Sequence, residues 1–179
     1  MKQLFKEQNK PVVYVTHDQT EAMTLSTKVA VLNQGMIQQL DPPSRIYSHP
    51  ANEFVASFVG SPQMNLLTLK CENSAAWLGQ YPLKLPMMTD KLTQIVLGIR
   101  PEDVCLANSE SEVSLIGQAY LVEQLGKDNL VSLKVKDSET TIRALLPSDQ
   151  NWQDQTIPLA IQPHKIHWFD PQTGDRINN

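Results

Sequence analysis

The sequence predicts two units, an α/β segment over residues 1–61 and an all-β barrel or sandwich over residues 62–179. Three observations predict this division. The run Val12-Val13-Tyr14-Val15 is continuously apolar, which is typical of a strand covered on both faces. Beyond Gly60-Ser61-Pro62, turn-forming residues become frequent. In that second part, segments such as residues 131–136 alternate apolar and polar side chains, as half-buried strands do.

In the first unit, residues 2–8 have a polar helical pattern and lead into the apolar run. A second helix should follow at once, because Asp18 with Glu21 three positions later fits an acidic capping box. Residues 29–32 then predict a strand, and residues 36–40 its hairpin partner across a tight Asn33-Gln34-Gly35 turn.

Two short helices are expected after Asp41-Pro42-Pro43 breaks the sheet, over residues 44–48 and 52–59. In the second of these, Phe54, Val55, Phe58 and Val59 should form one apolar face.

The second unit is predicted to consist of short strands. Val131, Leu133 and Val135 should face a core, while Ser132, Lys134 and Lys136 face water. Residues 118–125 should pair with this strand through a turn at residues 126–129. Further strands are expected at residues 66–70, 83–85, 94–100, 141–146, 156–162 and 166–169.

Composition excludes several classes of protein. The net charge is −4 and neither unit is basic, so we expect no nucleic-acid partner. The apolar runs are far shorter than the ~20 residues of a membrane span, and the first residues lack a signal-peptide core, so a cytoplasmic location is expected. Cys71 and Cys105 form no CxxC motif and are interpreted as reduced thiols.

A few side chains are candidates for chemistry. His17 follows the apolar run at the carboxyl end of a predicted strand, where α/β folds bind phosphate, although such a histidine is more often structural. His164 and His167 are three positions apart, which in a strand turns the rings to opposite faces, so we expect no metal site. The three tryptophans are more easily explained by packing than by sugar stacking: Trp77, Trp152 and Trp168.

Four blocks of sequence closely resemble the carboxyl-terminal half of the ATPase subunits of carbohydrate ABC importers, the group that includes the maltose and glycerol-3-phosphate systems. The blocks are VTHDQTEAMTL (residues 15–25), VAVLNQGMIQQLDPPSRIYSHPANEFVASFVGSPQMNLL (29–67), VLGIRPEDV (96–104) and IHWFDPQTGDRI (166–177). They occur in the family's order. The resemblance implies the end of a RecA-like nucleotide-binding domain in residues 1–61 and an OB-like barrel, the TOBE domain, in residues 62–179.

The resemblance also implies roles for individual residues. His17 matches the switch (H-loop) histidine, which contacts the γ-phosphate of ATP, and Asp18 and Glu21 would hold its loop in place. Arg100, Pro101 and Glu102 match a GIRPE motif, where we expect a strand end and a turn before a ligand site, because proline breaks the chain's regular structure.

The family's remaining ATP motifs cannot be found in the sequence. No two glycines are five apart, as a P-loop requires, and neither the signature loop, the Q-loop nor an apolar strand ending in Asp-Glu precedes His17. We therefore expect ATP and Mg²⁺ in a complete family enzyme but neither cofactor nor hydrolysis for this chain alone. The apolar strands of the first unit would have open edges, which predicts partial disorder, self-association or docking onto a chain that carries the missing half.

Three functional hypotheses follow. The chain is the carboxyl-terminal fragment of an importer ATPase, working on the inner membrane face with permease subunits and dimerising through its barrel. Alternatively, it is a stand-alone TOBE module that binds a regulatory ligand or dimerises without catalysis. The third hypothesis is a remnant whose barrel still folds but has no function.

Overall fold

The computed structural model describes residues 11–86 and 92–177. The chain divides into two compact units on either side of the bond between Ser61 and Pro62. The helical pattern at residues 2–8 lies outside the described residues. None of the helices in residues 11–86 and 92–177 is both long and apolar enough to cross a membrane.

Residues 11–61, the described part of the first unit, contain three short helices and one β-hairpin. In chain order these are α1 (Gln19–Leu25), β1 (Val29–Asn33), β2 (Met36–Asp41), α2 (Pro43–Ser48) and α3 (Glu53–Phe58). Its small core is formed by Val31, Ile46, Val55 and Val59.

The hairpin confirms the sequence prediction. Strands β1 and β2 pair in antiparallel fashion, from Val29 opposite Asp41 to Asn33 opposite Met36. Gln34 and Gly35 make the turn with φ angles of 48° and 78°. Two consecutive left-handed residues match the right-handed twist of the strands, which is why glycine suits the second position.

The helices also lie close to their predicted positions. Asn52 caps α3, because its Oδ1 accepts a hydrogen bond from the Val55 N–H at 3.0 Å. Val55 and Val59 are buried as expected. Phe58 departs from the predicted apolar face, since it is 45% exposed and stacks on Phe54 with ring centroids 5.7 Å apart.

The prediction of a buried strand at Val12-Val13-Tyr14-Val15 is wrong in this structure. No strand is formed there, and Val13 and Val15 are 93% and 90% exposed. A strand covered on both faces needs strands beside it and helices over it. The described part of the first unit supplies a single two-stranded hairpin, which does not pair with this run.

The second unit is a nearly closed, OB-like barrel of antiparallel strands, which confirms the predicted fold class. Its strands in the described residues are β3 (Asn65–Glu72), β4 (Ala75–Leu78), β5 (Tyr81–Lys84), β6 (Gln94–Ile99), β7 (Val104–Leu106), β8 (Leu115–Gln124), β9 (Asp128–Val135), β10 (Thr141–Pro147), β11 (Thr156–Ile161), β12 (His167–Phe169) and β13 (Arg176–Ile177). One sheet has the strand order β10-β9-β8-β11-β7 and the other β13-β12-β6-β3-β4-β5.

Apolar side chains of both sheets form a single core, which includes Leu97, Leu133 and Leu159. Trp152 and Trp168 are each 4% exposed and belong to it, as the packing interpretation expected. The predicted wet face of β9 is only partly correct, because Ser132 is 5% exposed. Strand β9 lies between β8 and β10, so neighbours cover more of it than its alternation suggests.

Candidate functional site

The candidate site is the loop of Thr16, His17 and Asp18 that precedes α1. Asp18 caps the helix, since its Oδ1 accepts a hydrogen bond from the Glu21 N–H at 3.1 Å. Its carbonyl also accepts the Ala22 N–H at 3.1 Å. Short oxygen-bearing side chains at this position satisfy amide groups that have no partner within the helix, so the helix begins at Gln19.

Glu21 holds the chain on the other side of His17. Its Oε2 accepts hydrogen bonds from Tyr14 Oη at 2.9 Å and from Thr16 Oγ1 at 3.0 Å. In a complete capping box Glu21 would accept the Asp18 N–H, but here that N–H donates to Thr16 Oγ1 at 2.9 Å. The predicted box is therefore half formed, and Thr16 replaces its second hydrogen bond.

The same contact affects the phenol of Tyr14. The Glu21 carboxylate accepts its hydrogen bond and repels a phenolate, so the pKa of Tyr14 is raised above its ordinary value. Tyr14 therefore keeps the proton that it donates to Glu21 throughout the neutral range.

His17 lies between the anchored residues Thr16 and Asp18, and its side chain is exposed. Within the described residues its imidazole makes no hydrogen bond, in contrast to its neighbours Thr16 and Asp18. An imidazole donates one N–H when neutral and two when protonated. The loop thus presents a hydrogen-bond donor on a backbone that is fixed on both sides, which suits an oxyanion of an incoming ligand.

The residues Arg100, Pro101 and Glu102 form a strand end and a turn, as expected. Strand β6 ends at Ile99, and a 3₁₀ turn follows at Pro101–Asp103. Arg100 is 2% exposed, so its side chain lies inside the unit rather than on a ligand-accessible surface. Asp103 forms an ion pair with Lys165, with 2.9 Å between Oδ1 and Nζ.

The two nearby histidines lie in different surroundings. His167 is buried in β12, whereas His164 is exposed in a 3₁₀ turn, Pro163–Lys165, so the two do not share a strand. Among residues 11–86 and 92–177, no group of three or more His, Cys, Asp or Glu side chains is arranged to hold a metal ion. Cys71 and Cys105 are both free thiols, and partial burial raises the pKa of Cys71.

A cleft of about 330 Å³ opens on the barrel. Apolar side chains such as Leu83 and Trp168 line it, and Lys84 and Ser114 provide polar groups. The Ser114 hydroxyl is already engaged with the backbone of β11, because it accepts the Ile161 N–H at 2.9 Å. The cleft therefore offers one charged group, Lys84, to a small ligand.

Sequence reasoning found His17, Asp18 and Glu21 but missed Tyr14 and Thr16. Thr16 carried a usable signal, since a hydroxyl two residues before an N-cap is placed to accept that residue's N–H. The sequence gives no signal for the hydrogen bond from Tyr14 to Glu21, because the apolar run around Tyr14 predicts a buried strand.

Known proteins match this chain over almost its whole length. The MalK OB fold domain matches residues 60–104. The maltose/maltodextrin import ATP-binding protein MalK of Yersinia pestis is 38% identical over 180 residues, covering 93% of this chain and 47% of the relative. The sn-glycerol-3-phosphate import ATP-binding protein UgpC of Escherichia coli K12 is 35% identical, covering 99% of this chain and 51% of the relative.

The same protein from Vibrio cholerae is 36% identical, with 96% of this chain and 47% of the relative covered. The chain therefore spans about half the length of the curated relatives that it matches.

Proposed function

Because the chain is homologous to the carboxyl-terminal half of the ATP-binding subunits of carbohydrate ABC importers, we propose that it is the part of such a subunit that carries the switch histidine and the regulatory barrel. Residues 1–61 would complete a nucleotide-binding domain, and residues 62–179 would form the TOBE domain. The observation that carries the proposal is the exposed imidazole of His17 on a loop anchored on both sides.

The proposed role of His17 is to donate a hydrogen bond to the terminal phosphate of ATP. Phosphoryl transfer spreads negative charge over the phosphate oxygens, and a fixed donor aimed at that charge stabilises the transition state. Asp18, Glu21 and Thr16 fix the loop backbone before ATP arrives, so little reorganisation is needed on binding. His17 fits an anionic ligand in this way, since its imidazole has no other partner among the described residues.

Affinity for ATP and activation of water require other groups. A P-loop lysine and backbone amides neutralise the phosphates, and carboxylates hold Mg²⁺. We assign these to an amino-terminal half that carries the Walker motifs. The chain would therefore couple hydrolysis to solute uptake only when that half is present.

Partners and location belong to the same proposal. The subunit would act on the inner face of the membrane with the permease subunits of an importer, and it would form homodimers through the barrel. The exposed run at residues 12–15 supports the proposal that another chain packs against the first unit. Val13 and Val15 are apolar and almost fully exposed.

The test is to fuse residues 1–179 to the amino-terminal half of the Escherichia coli relative and measure ATP hydrolysis. His17→Ala should reduce kcat by about 10²–10³-fold, because one donor to the transferring phosphate is removed, while ATP binding changes little. His49→Ala is the matched control, because His49 is also exposed in the first unit and contacts Ser48. Normal turnover in His17→Ala would refute the assigned role.

A second candidate is a binding module without catalysis, which the cleft beside Lys84 favours. In that case residues 62–179 should bind a small anion or sugar phosphate, and their melting temperature should rise with ligand concentration to saturation. Lys84→Ala should remove the shift. If neither hydrolysis nor a saturable ligand is found, the chain is a folded remnant.

A further inference from the structure

The side chain of Gln19 bridges two parts of the first unit that are far apart in sequence. Its Nε2 donates a hydrogen bond to the Phe58 carbonyl, 39 residues away. Its Oε1 accepts the Gly60 N–H at 3.0 Å, 41 residues away. One amide thus makes a donor contact and an acceptor contact with the chain that leaves α3.

Both partners are backbone groups that α3 cannot satisfy by itself. The last four carbonyls of a helix have no partner within it, and Phe58 is the final residue of α3. Gly60 has a φ angle of 118°, a backbone conformation that residues other than glycine rarely adopt. Gln19 therefore supplies, from another helix, partners for two backbone groups at the carboxyl end of α3.

Gln19 is also the first residue of α1, directly after the loop that presents His17. The hydrogen bonds of Asp18 and Glu21 hold that loop against its own helix, but they are all local. The Gln19 amide ties the amino end of α1 to the carboxyl end of α3. It thereby places the loop relative to the rest of the unit.

We propose that Gln19 is a positioning residue for His17, acting through its two hydrogen bonds to Phe58 and Gly60. This inference rests on the proposed function, because it concerns the orientation of the proposed phosphate donor. Misplacing a catalytic group by about 1 Å costs on the order of 10²-fold in rate.

The first experiment uses the full chain without nucleotide. Gln19→Met keeps the length of the side chain and removes both hydrogen bonds. The amide of Gly60 should then exchange about tenfold faster with solvent, and the His17 ring resonances should shift. Thr20→Ala is the matched control, since Thr20 is exposed in the same helical turn, and it should change neither signal.

Gln19→Glu is the second variant, in case the methionine variant fails to fold. It keeps the acceptor for the Gly60 N–H but places a carboxylate against the Phe58 carbonyl. The His17 resonances should again shift while Gly60 stays protected. If both variants lower the melting temperature and leave His17 unchanged, Gln19 is only a helix cap and the inference is wrong.

The second experiment uses the fused ATPase. Gln19→Met should lower kcat about 10- to 10²-fold with little change in KM for ATP, because binding groups are untouched. If His17→Ala is inactive and Gln19→Met turns over normally, this inference fails and the proposed function stands. If His17→Ala is active, the proposed function fails, and the resonances of the free chain still decide whether Gln19 positions the loop.

Discussion

At the scale of single residues, Asn65 joins the two sheets of the barrel. It lies in β3, in the six-stranded sheet, and is 5% exposed. Its Nδ2 donates to the carbonyls of Ile99 at 3.1 Å and Arg143 at 2.9 Å. Its Oδ1 accepts the Arg143 N–H at 2.8 Å. Because Arg143 belongs to β10 in the other sheet, this amide takes the place of a neighbouring strand.

The first prediction concerns this amide. Asn65→Asp keeps the size and the acceptor but places a carboxylate oxygen against the carbonyls of Ile99 and Arg143. The free energy of unfolding at pH 7 should fall by about 3 kcal/mol, because a buried charge loses water without gaining a donor. Urea denaturation with an unchanged m-value measures the loss.

The control and the pH dependence make this test specific. Asn151→Asp is the matched control, since Asn151 is exposed and its Oδ1 still accepts the Gln153 N–H after the change. The Asn65→Asp carboxyl should have a raised pKa in the folded state. Its protonated form is therefore favoured by folding, and the destabilisation should shrink as pH falls toward the unfolded value of about 3.9. Overlapping curves for the two variants would contradict the role given to Asn65.

At the scale of elements, the run at residues 12–15 has the composition of a buried strand and the exposure of a surface segment. Val13 and Val15 are 93% and 90% exposed, and Tyr14 is 54% exposed. Contiguous exposed apolar side chains are a site of association. For the isolated chain we expect that surface to be another copy of the chain.

The second prediction is that this run drives self-association. Val13→Lys combined with Val15→Lys should weaken association at least about tenfold, because each buried valine contributes on the order of 1.5 kcal/mol or more. The unfolding temperature should not fall, since neither side chain packs in the core. Sedimentation velocity over a range of concentrations measures the change.

Thr20→Lys combined with Gln172→Lys is the control, because it adds the same charge at two exposed polar sites. If it dissociates the chain equally well, net charge and not the apolar run controls association.

Elements also show what the sequence could and could not predict. The hairpin of β1 and β2 and the start of α1 depend on neighbouring residues, so local patterns located them. Strand β7 was missed, because its three residues are held by pairing with residues 159–161. Strand β4 was missed because Asn73 and Ser74 form its turn with positive φ angles and without glycine.

The candidate site follows the same rule. His17 and its cap Asp18 lie within one short motif and were found from it. The bridge from Gln19 to Phe58 and Gly60 spans about forty residues, and no local pattern indicates it. The sequence therefore predicts the fold class, but it does not predict which residues that are distant in sequence form contacts in the folded chain.

At the scale of the whole molecule, the two units have very different cores. The first relies on Val31, Ile46, Val55 and Val59. The core cluster of the second comprises 22 buried apolar residues in the described part of the chain. Segments of about 60 residues bury too little surface to be more than marginally stable. We therefore expect the barrel to fold independently and the first unit to add little to its stability.

The third prediction tests this independence by calorimetry of the whole chain and of residues 62–179. Both should show the same main transition, since the barrel core is complete in each. Leu133→Ala should lower its temperature by about 10 °C, because removing a fully buried leucine costs about 3 kcal/mol. Val55→Ala, at an equally buried position of the first unit, should leave that transition in place. If Val55→Ala lowers the main transition of the whole chain, the two units unfold together, and the barrel owes part of its stability to the unit that carries His17.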